Sequence, residues 1–183
     1  MTRRHWFPNP YADAVARLRV PSGFLLVALF LWLADPTYGS IAAGTPIAAA
    51  GILLRGWAAG HLAKNQRLID TGPYGYLRNP LYAGTLLVAA GLVIAAREPL
   101  LALVFGLVFL LVYLPVIELE EQHLRNLFPG FAAYAAQVRL FWPRLTPAAR
   151  GAFQWALYRR NREHQALLAF LAALAVLLWK ACR

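Results

Sequence analysis

Long apolar segments constrain this chain more than any other feature. An α-helix needs about 20 mostly apolar residues to cross the roughly 30 Å hydrocarbon core of a bilayer. The 183 residues are 60% hydrophobic with a mean hydropathy of +0.51, which is too apolar for an ordinary soluble domain. The sequence therefore predicts an all-α fold, an integral membrane helical bundle that forms a single domain over residues 1–183. About five transmembrane helices are expected, at residues 20–38, 41–62, 81–96, 99–117 and 165–179.

The positions of the basic residues predict the orientation of the bundle. The links at 35–40 and 97–98 are tight, so spans one and two, and spans three and four, should form hairpins. Of the 18 lysines and arginines, 15 precede span one, lie in or after the last turns of span two, or follow span four, and the exceptions are Arg97, Lys180 and Arg183. Basic residues concentrate on the cytoplasmic side, so the N-terminus is predicted inside and the C-terminus outside. The Ala-, Arg- and Leu-rich composition suggests a bacterial inner membrane.

Charge and cysteine content exclude several classes of protein. A net charge of +10 would suggest a nucleic-acid partner in a soluble protein, but here the basic residues lie between apolar runs, and no nucleic acid is expected. The single cysteine, Cys182, excludes a disulfide framework and a cysteine-rich metal site. His61 and His123 are too scattered for a zinc site.

The residues ahead of the first span favour an interfacial anchor. Trp6, Phe7 and Tyr11 are aromatic and stand beside Arg3 and Arg4. Aromatic and basic residues together are typical of a segment that lies at the membrane surface.

The stretch GPYGYLRNPLYAG, residues 72–84, carries an unusual density of turn-forming and polar residues between two apolar spans. Pro73 indicates a turn, and Pro80 suits the first turn of span three, where its missing N–H costs nothing. Arg78 and Asn79 come directly before a helix N-terminus, whose free N–H groups suit a carboxylate or phosphate. The alternative is an interfacial turn with aromatic belt residues and a snorkelling arginine.

The stretch VIELEEQHLRNLF begins where span four leaves the membrane, and Glu118, Glu120 and Glu121 follow in quick succession. Carboxylates near a bilayer are costly unless they meet cations or solvent. Glu121 and Arg125 are spaced to pair along one helix face. Glu120 would then be free for Arg78 or for the ammonium of a ligand. A solvated helix end is the alternative.

Both substantial polar segments, 61–80 and 118–164, lie on the predicted cytoplasmic side, which places the active face there. Beyond the glutamates, Tyr134 and Val138 fall on a helical stripe that predicts an amphipathic helix against the membrane. The sequence contains no P-loop and no G-x-G-x-x-G motif, and no serine or cysteine lies in these segments.

The two constellations occur in a specific order: GPYGYLRNPLYAG, a hairpin of spans, and then EEQHLRNLFPGFAAYAAQVRLFWP. This arrangement resembles the isoprenylcysteine carboxyl methyltransferases and their phospholipid methyltransferase relatives. The likeness covers roughly residues 51–143, and the span at about 165–180 is additional. It implies an integral membrane enzyme that uses S-adenosylmethionine, held in a pocket of cytoplasmic helical segments. It also implies a lipophilic small-molecule substrate that enters from the bilayer, with membrane lipids as partners.

The resemblance also implies roles for individual residues. The expected cofactor-binding residues are His61, Lys64, Gly72, Pro73, Tyr74, Asn79, Pro80, Tyr82, Gly84, Glu120, Glu121 and Tyr134. The expected catalytic residues are Arg78, Asn79 and Glu120, without a metal. The acidic pair would bind the cofactor's ammonium, and Tyr82 and Tyr134 would pack on its adenine or sulfonium methyl. Arg78 would hold a carboxylate or phosphate of the acceptor.

Two departures from the family pattern matter. Asn79 stands where the family usually has histidine, and a carboxamide cannot serve as a base. This favours a carboxylate acceptor, which needs no deprotonation, over an amine. Pro129 also intrudes between Phe128 and Gly130. The alternatives are an inactive homologue, or a small membrane transporter or lipid-binding protein with the acidic pair as an ion site. The polar residues cluster at one membrane face, whereas transporter sites usually lie near the midplane.

Overall fold

Helices make up almost all of the regular structure. The computed structural model describes residues 7–146, 149 and 151–183. Arg3, Arg4 and Trp6 of the predicted interfacial anchor, and the basic residue Arg150, lie outside the described residues. Apart from helices, these residues contain one isolated bridge, between Thr71 and Ala149. A 3₁₀ turn covers Gly72–Gly75, and a π-helical turn, Phe109–Tyr113, joins α5 to α6. The α-helices are α1 (Asn9–Ala16), α2 (Arg19–Leu33), α3 (Tyr38–Ala59), α4 (Pro80–Ala96), α5 (Pro99–Val108), α6 (Leu114–Leu127), α7 (Phe131–Gln137), α8 (Trp155–Arg160) and α9 (His164–Ala181).

The predicted all-α membrane bundle is confirmed. Among the described residues, three helices are long and apolar enough to cross a membrane: Tyr38–Ala59, Pro99–Leu127 and His164–Ala181. A fourth candidate combines α1 and α2, which are bent by 53° at the break between them. Helix α4 is apolar but shorter. Helices therefore occupy all five predicted segments, and three or four of them meet the length and composition of a span.

The predicted boundary between the first two spans was wrong. Helix α2 ends at Leu33, and Tyr38 begins α3 instead of closing span one. The cause is a capping box in which Thr37 Oγ1 accepts from Ser40 N at 3.2 Å and Ser40 Oγ accepts from Thr37 N at 2.9 Å, a pairing that fixes a helix start. At its other end α3 stops at Ala59. His61, which was placed in the last turns of span two, therefore lies in the following turn.

The helix of the fourth span extends beyond its apolar segment. The helical rod of α5, the π-helical turn and α6 continues to Leu127, beyond the predicted end at residue 117. It ends where Phe128 adopts an extended backbone, since a residue that precedes a proline is disfavoured in the helical region. The glutamates that were expected after the span are therefore held on a rigid helix.

Helices α3 and α4 pack with their backbones in close approach. A Cβ atom on Gly91 would lie 2.5 Å from the carbonyl oxygen of Gly44 and closer still to the backbone nitrogen of Ala48. A Cβ atom on Gly84 would lie 2.8 Å from the carbonyl oxygen of Gly51. Small residues at such positions let membrane helices associate without a hydrophobic driving force. The α3–α4 pair is thus a fixed frame, and the end that carries the first turn of α4 positions the polar residues discussed below.

Helix α9 is attached to the opposite end of this frame. Leu177 is fully buried there in a cluster with Ala34, Ile41, Ala96 and Leu101. Close by, the Lys180 ammonium donates to the carbonyl oxygen of Ala34 at 2.6 Å. The additional C-terminal span is therefore an integral part of the bundle.

Replacement of Gly91 by alanine tests the close packing. Gly91→Ala forces a methyl group against the α3 backbone, and we expect a loss of about 1–3 kcal/mol in the free energy of unfolding. Gly106→Ala on α5 is the matched control, because nothing lies within 4 Å of a Cβ atom there. The control should be neutral or slightly stabilising. Equal stabilities of the two variants in a denaturation series would refute the packing.

Candidate functional site

A buried ion pair between Arg78 and Glu121 joins the loop before α4 to helix α6. Arg78 Nε lies 3.0 Å from Glu121 Oε1, and the two side chains are only 14% and 15% exposed. The same carboxylate oxygen accepts from Asn79 Nδ2 at 3.3 Å. Arg78 Nη1 donates to the carbonyl oxygen of Ala135 at 3.1 Å. One guanidinium therefore connects the α4 loop, α6 and α7, and the loss of either charge would strand the other in a buried position.

Backbone hydrogen bonds fix the loop that carries this arginine. Arg78 N donates to the carbonyl oxygen of Arg139 at 2.9 Å, and Asn79 N donates to that of Leu140 at 3.3 Å. In the opposite direction, Arg144 N donates to the carbonyl oxygen of Tyr76 at 3.0 Å. The chain after α7 thus runs beside residues 76–79, although the two stretches are far apart in sequence.

Glu120 points to a different and more open place than Glu121. Its Oε1 atom accepts from the Tyr82 hydroxyl at 3.1 Å, and Arg19 Nη1 lies 3.4 Å away. The Glu120 side chain is 43% exposed. The two neighbouring glutamates therefore differ in role, since one is held in a buried ion pair and the other presents an accessible carboxylate.

The partners of the glutamates differ from the sequence-based expectation. Glu121 was expected to pair with Arg125, which would leave Glu120 for Arg78. Instead Glu121 meets Arg78, and the Arg125 guanidinium lies over the ring of Phe131, 5.2 Å from its centroid. Helical spacing alone predicted the first pairing, whereas the loop contacts bring a competing arginine against α6.

The stripe of α7 faces protein and not the membrane. Phe131, Tyr134 and Val138 are buried, with exposed fractions of 1%, 9% and 0%, and they pack against Leu68 and Leu124 among others. The expectation of an amphipathic helix lying against the bilayer was wrong. The apolar face of α7 packs against α6 and against the loop before the 3₁₀ turn. The helix therefore closes one side of the candidate site.

Two tyrosines, Tyr74 and Tyr134, lie where α7 meets the 3₁₀ turn. The Tyr134 hydroxyl donates to the carbonyl oxygen of Tyr74 at 2.8 Å. The Tyr74 hydroxyl is itself buried and has no hydrogen-bond partner in the part of the chain that the structure describes. Burial raises the pKa of both phenols well above the ordinary value, so both stay protonated near neutral pH. A buried hydroxyl without a partner is costly, and a polar group of a ligand would satisfy it.

His61 belongs to a second group of residues. Its side chain is buried, and Nδ1 lies 3.4 Å from Thr71 Oγ1. A Cβ atom on Gly72 would lie 2.5 Å from the imidazole, and the φ of +58° there also favours glycine. The rings of Trp57 and Phe153 flank the imidazole at 6.4 Å each. The contacts of His61 that the structure describes are thus with aromatic and turn residues, and not with the acidic pair.

The structure brings some predicted site residues together and separates others. Arg78, Asn79, Tyr82, Glu120 and Glu121 form one cluster, which we call the acidic cluster. Pro73 and Pro80 are fully buried, and Gly84 faces α3. Lys64 is exposed. The binding and catalytic roles of all these residues stay predictions.

Sequence reasoning missed contacts from outside the two motifs. Arg19, at the start of α2, lies beside Glu120. Arg55 of α3 forms a buried ion pair with Glu163, at the start of α9. A charged residue within an apolar span is a signal of function, and Arg55 carries that signal, but its partner could not be inferred from helical spacing.

An apolar groove opens beside the acidic cluster. It has a volume of about 710 Å³ and runs along α4 from Leu77 and Phe141 to Ile94, with Phe105 of α5 on its other side. Leu77, the residue directly before Arg78, lines it. The lining of this groove suits hydrocarbon.

Comparison with known proteins gives a family and two relatives. The sequence profile of the family described as phospholipid methyltransferase matches residues 19–130. The cobalt-zinc-cadmium resistance protein CzcN of Cupriavidus metallidurans is 36% identical over 117 residues, which cover 63% of this chain and 52% of the relative. The nickel-cobalt-cadmium resistance protein NccN of Alcaligenes xylosoxydans xylosoxydans is 35% identical over 105 residues, covering 56% and 48%. The chain spans about half the length of these curated relatives. No solved structure matches it.

Replacement of Arg78 by lysine tests the geometry of the ion pair. A lysine ammonium is a point charge and cannot reach Glu121 and the carbonyl of Ala135 together. We expect Arg78→Lys to lower the free energy of unfolding by about 1.5–3 kcal/mol, the worth of a hydrogen bond to a charged group. Arg139→Lys, at an exposed position, is the matched control and should be neutral. If both variants unfold at the wild-type denaturant concentration, the guanidinium does not connect the three segments.

Proposed function

Because this chain belongs to the phospholipid methyltransferase family, we propose that it is a membrane methyltransferase that transfers a methyl group from S-adenosylmethionine to a lipophilic acceptor. The observation that carries the proposal is the acidic cluster. It holds a largely buried cation–carboxylate pair next to an open carboxylate, and Leu77, the residue before Arg78, lines an apolar groove.

The residues of the cluster fit the chemical groups of this cofactor. Its ammonium and sulfonium are cationic, and Glu120 offers an accessible carboxylate with the Tyr82 ring beside it. Its carboxylate suits the first N–H groups of α4, since the N-cap residue Asn79 makes no side-chain cap there. The unpartnered Tyr74 hydroxyl and the neighbouring Tyr134 suit its ribose and adenine.

Methyl transfer of this kind forms a bond between an acceptor lone pair and the methyl carbon while the carbon–sulfur bond breaks and leaves its electron pair on sulfur. The protein contributes alignment and exclusion of water rather than covalent chemistry. Arg78 and Asn79 directly follow Leu77, which lines the groove, and they would orient the polar end of the acceptor. Asn79 cannot accept a proton as a base, so a carboxylate acceptor, such as that of an isoprenylcysteine-like molecule, suits the site better than a protonated amine.

The groove supports a lipophilic acceptor. Its lining is almost entirely aliphatic and aromatic, and it follows α4 within the apolar part of the bundle. Between Ala83 and Ile94 it is about 16 Å long at the helical rise of 1.5 Å per residue. A hydrocarbon chain lying there would keep its polar end beside Arg78, whereas a wholly polar acceptor would gain nothing from the groove.

We further propose that the acidic cluster faces the cytoplasm of a bacterial inner membrane, with the N-terminal residues on the same side. The excess of basic residues beside the cluster supports this orientation. Reporter fusions after Asp35, Lys64 and Arg97 should report outside, inside and outside, respectively. A reversed pattern at Lys64 would place the cluster on the other face and contradict the orientation.

The names of the two relatives favour a second candidate, a role in resistance to cobalt, zinc, cadmium or nickel. The two candidates do not exclude each other. Growth of a deletion strain on graded metal salts, complemented by wild-type protein or by Glu120→Gln, separates them. Equal rescue by both forms would mean that resistance does not depend on the proposed site.

Calorimetric titration of S-adenosylmethionine into the purified protein tests the proposed function. We expect Glu120→Gln to weaken binding by about 1.5–3 kcal/mol, the worth of a hydrogen bond to a charged group, while the protein remains folded. Glu98→Gln is the matched control, because this carboxylate caps α5 at the opposite end of the bundle. Absence of binding by the wild-type protein up to millimolar cofactor would refute the proposal. If Glu120→Gln binds the cofactor as tightly as the wild-type protein, Glu120 does not bind the cofactor and belongs only to a solvated helix end.

Transfer itself is measured by mass spectrometry of lipids. Membrane extract is incubated with the protein and methyl-labelled cofactor, and the labelled lipid identifies the acceptor. Label in a lipid carboxylate is expected, and label confined to amine headgroups would contradict the choice of acceptor while leaving the reaction class intact.

A further inference from the structure

A second ion pair, largely buried, joins α3 to the start of α9. Arg55 Nε of α3 is 2.5 Å from Glu163 Oε1, and the side chains are 24% and 9% exposed. Glu163 lies beyond residues 19–130, the part of the chain that the family profile matches. Charges buried in a membrane bundle are expensive and are usually retained for a function.

The arginine of this pair also holds the first turn of α4. Arg55 Nη1 donates to Thr85 Oγ1 at 2.5 Å and to the carbonyl oxygen of Leu81 at 3.4 Å. The Thr85 hydroxyl donates to the same carbonyl at 3.0 Å. Leu81 is the direct neighbour of Tyr82, whose hydroxyl reaches Glu120. A single guanidinium thus links Glu163 to the turn that carries a residue of the acidic cluster.

Glycine at position 84 makes this contact possible. A Cβ atom on Gly84 would lie 2.5 Å from Arg55 Cγ, so any larger residue would displace the arginine stem. Gly84 was predicted to be a cofactor-binding residue. The structure shows that α3, with the stem of Arg55, makes the close approach.

The position of Glu163 is itself fixed on α3. Asn161 Nδ2 donates to the carbonyl oxygens of Ala59 and Leu62, at 2.9 Å each. Ala59 is the last residue of α3, and Leu62 lies just beyond the turn that follows it. The link between α8 and α9 is therefore hydrogen-bonded to the chain about one helical turn from Arg55. This contact fixes the position of Glu163 relative to the guanidinium.

From these contacts we propose that Glu163 and Arg55 are positioning residues for the acidic cluster. The C-terminal helix supplies the carboxylate that orients Arg55, and Arg55 sets the first turn of α4, with Asn79 and Tyr82, against α6. Without the pair, the turn keeps its helical hydrogen bonds but loses the hydrogen bonds that Arg55 of α3 donates to it. The effect on the cofactor rests on the proposed function, whereas the effect on the α4 turn does not.

The double variant Arg55→Met/Glu163→Leu separates positioning from simple stabilisation. Replacement of a buried ion pair by apolar residues of similar volume is often neutral or stabilising, so the melting temperature should stay close to that of the wild type. Hydrogen exchange measured on peptides covering residues 79–86 should nevertheless become faster by at least about fivefold, and the Kd for S-adenosylmethionine should rise by a similar factor, as expected when one hydrogen-bonding group is lost. Glu98→Gln should change neither quantity.

Each outcome decides the proposal. Wild-type exchange at residues 79–86 in a folded double variant overturns the proposal, and wild-type cofactor affinity overturns its functional part. If the double variant does not fold, Arg55→Lys replaces it, because a lysine keeps the charge beside Glu163 but cannot also span Thr85, and the same two readouts apply. If the wild-type protein does not bind the cofactor, the proposed function fails, and hydrogen exchange alone decides whether the pair positions α4.

Discussion

The ion pair between Arg78 and Glu121 is the interaction on which the candidate site depends. It is buried, it shares its carboxylate with Asn79, and the same guanidinium reaches the carbonyl of Ala135. A charge in such a position is tolerated only with a partner, so the loop before α4 must lie against α6. Everything else in the acidic cluster follows from that placement, including the exposure of Glu120 on the neighbouring face.

Two kinds of constraint cooperate to bring this pair together. Glycines at positions 51, 84 and 91 let α3 and α4 approach backbone to backbone, which fixes the direction in which α4 leaves the bundle. At the N-terminal end of α4, polar contacts from α6 and from Arg55, which is paired with Glu163, hold its first turn. A site built in this way needs little movement to bind a charged ligand, because its polar groups are already oriented by protein partners.

The sequence alone predicted much of the architecture and only part of the site. Hydropathy located all five apolar helices, since the length of such a segment is dictated by the bilayer. It also placed Asn79 and Glu121 in two motifs that the structure joins. It could not predict that Arg78 would displace Arg125 as the partner of Glu121, because that choice depends on backbone contacts between residues 76–79 and 139–144. The stripe on α7 failed for the same reason: periodicity shows that a face is apolar but not whether lipid or protein covers it.

We propose that S-adenosylmethionine binds at the junction of α4 and α6. Photocrosslinking with labelled S-adenosylmethionine, followed by mass spectrometric mapping of labelled peptides, tests it most directly. We expect label in peptides that contain residues 72–84, 114–127 or 131–137, suppressed by an excess of S-adenosylhomocysteine. Competable label confined to parts of the chain away from this junction, such as the C-terminal half of α9, would refute this binding site.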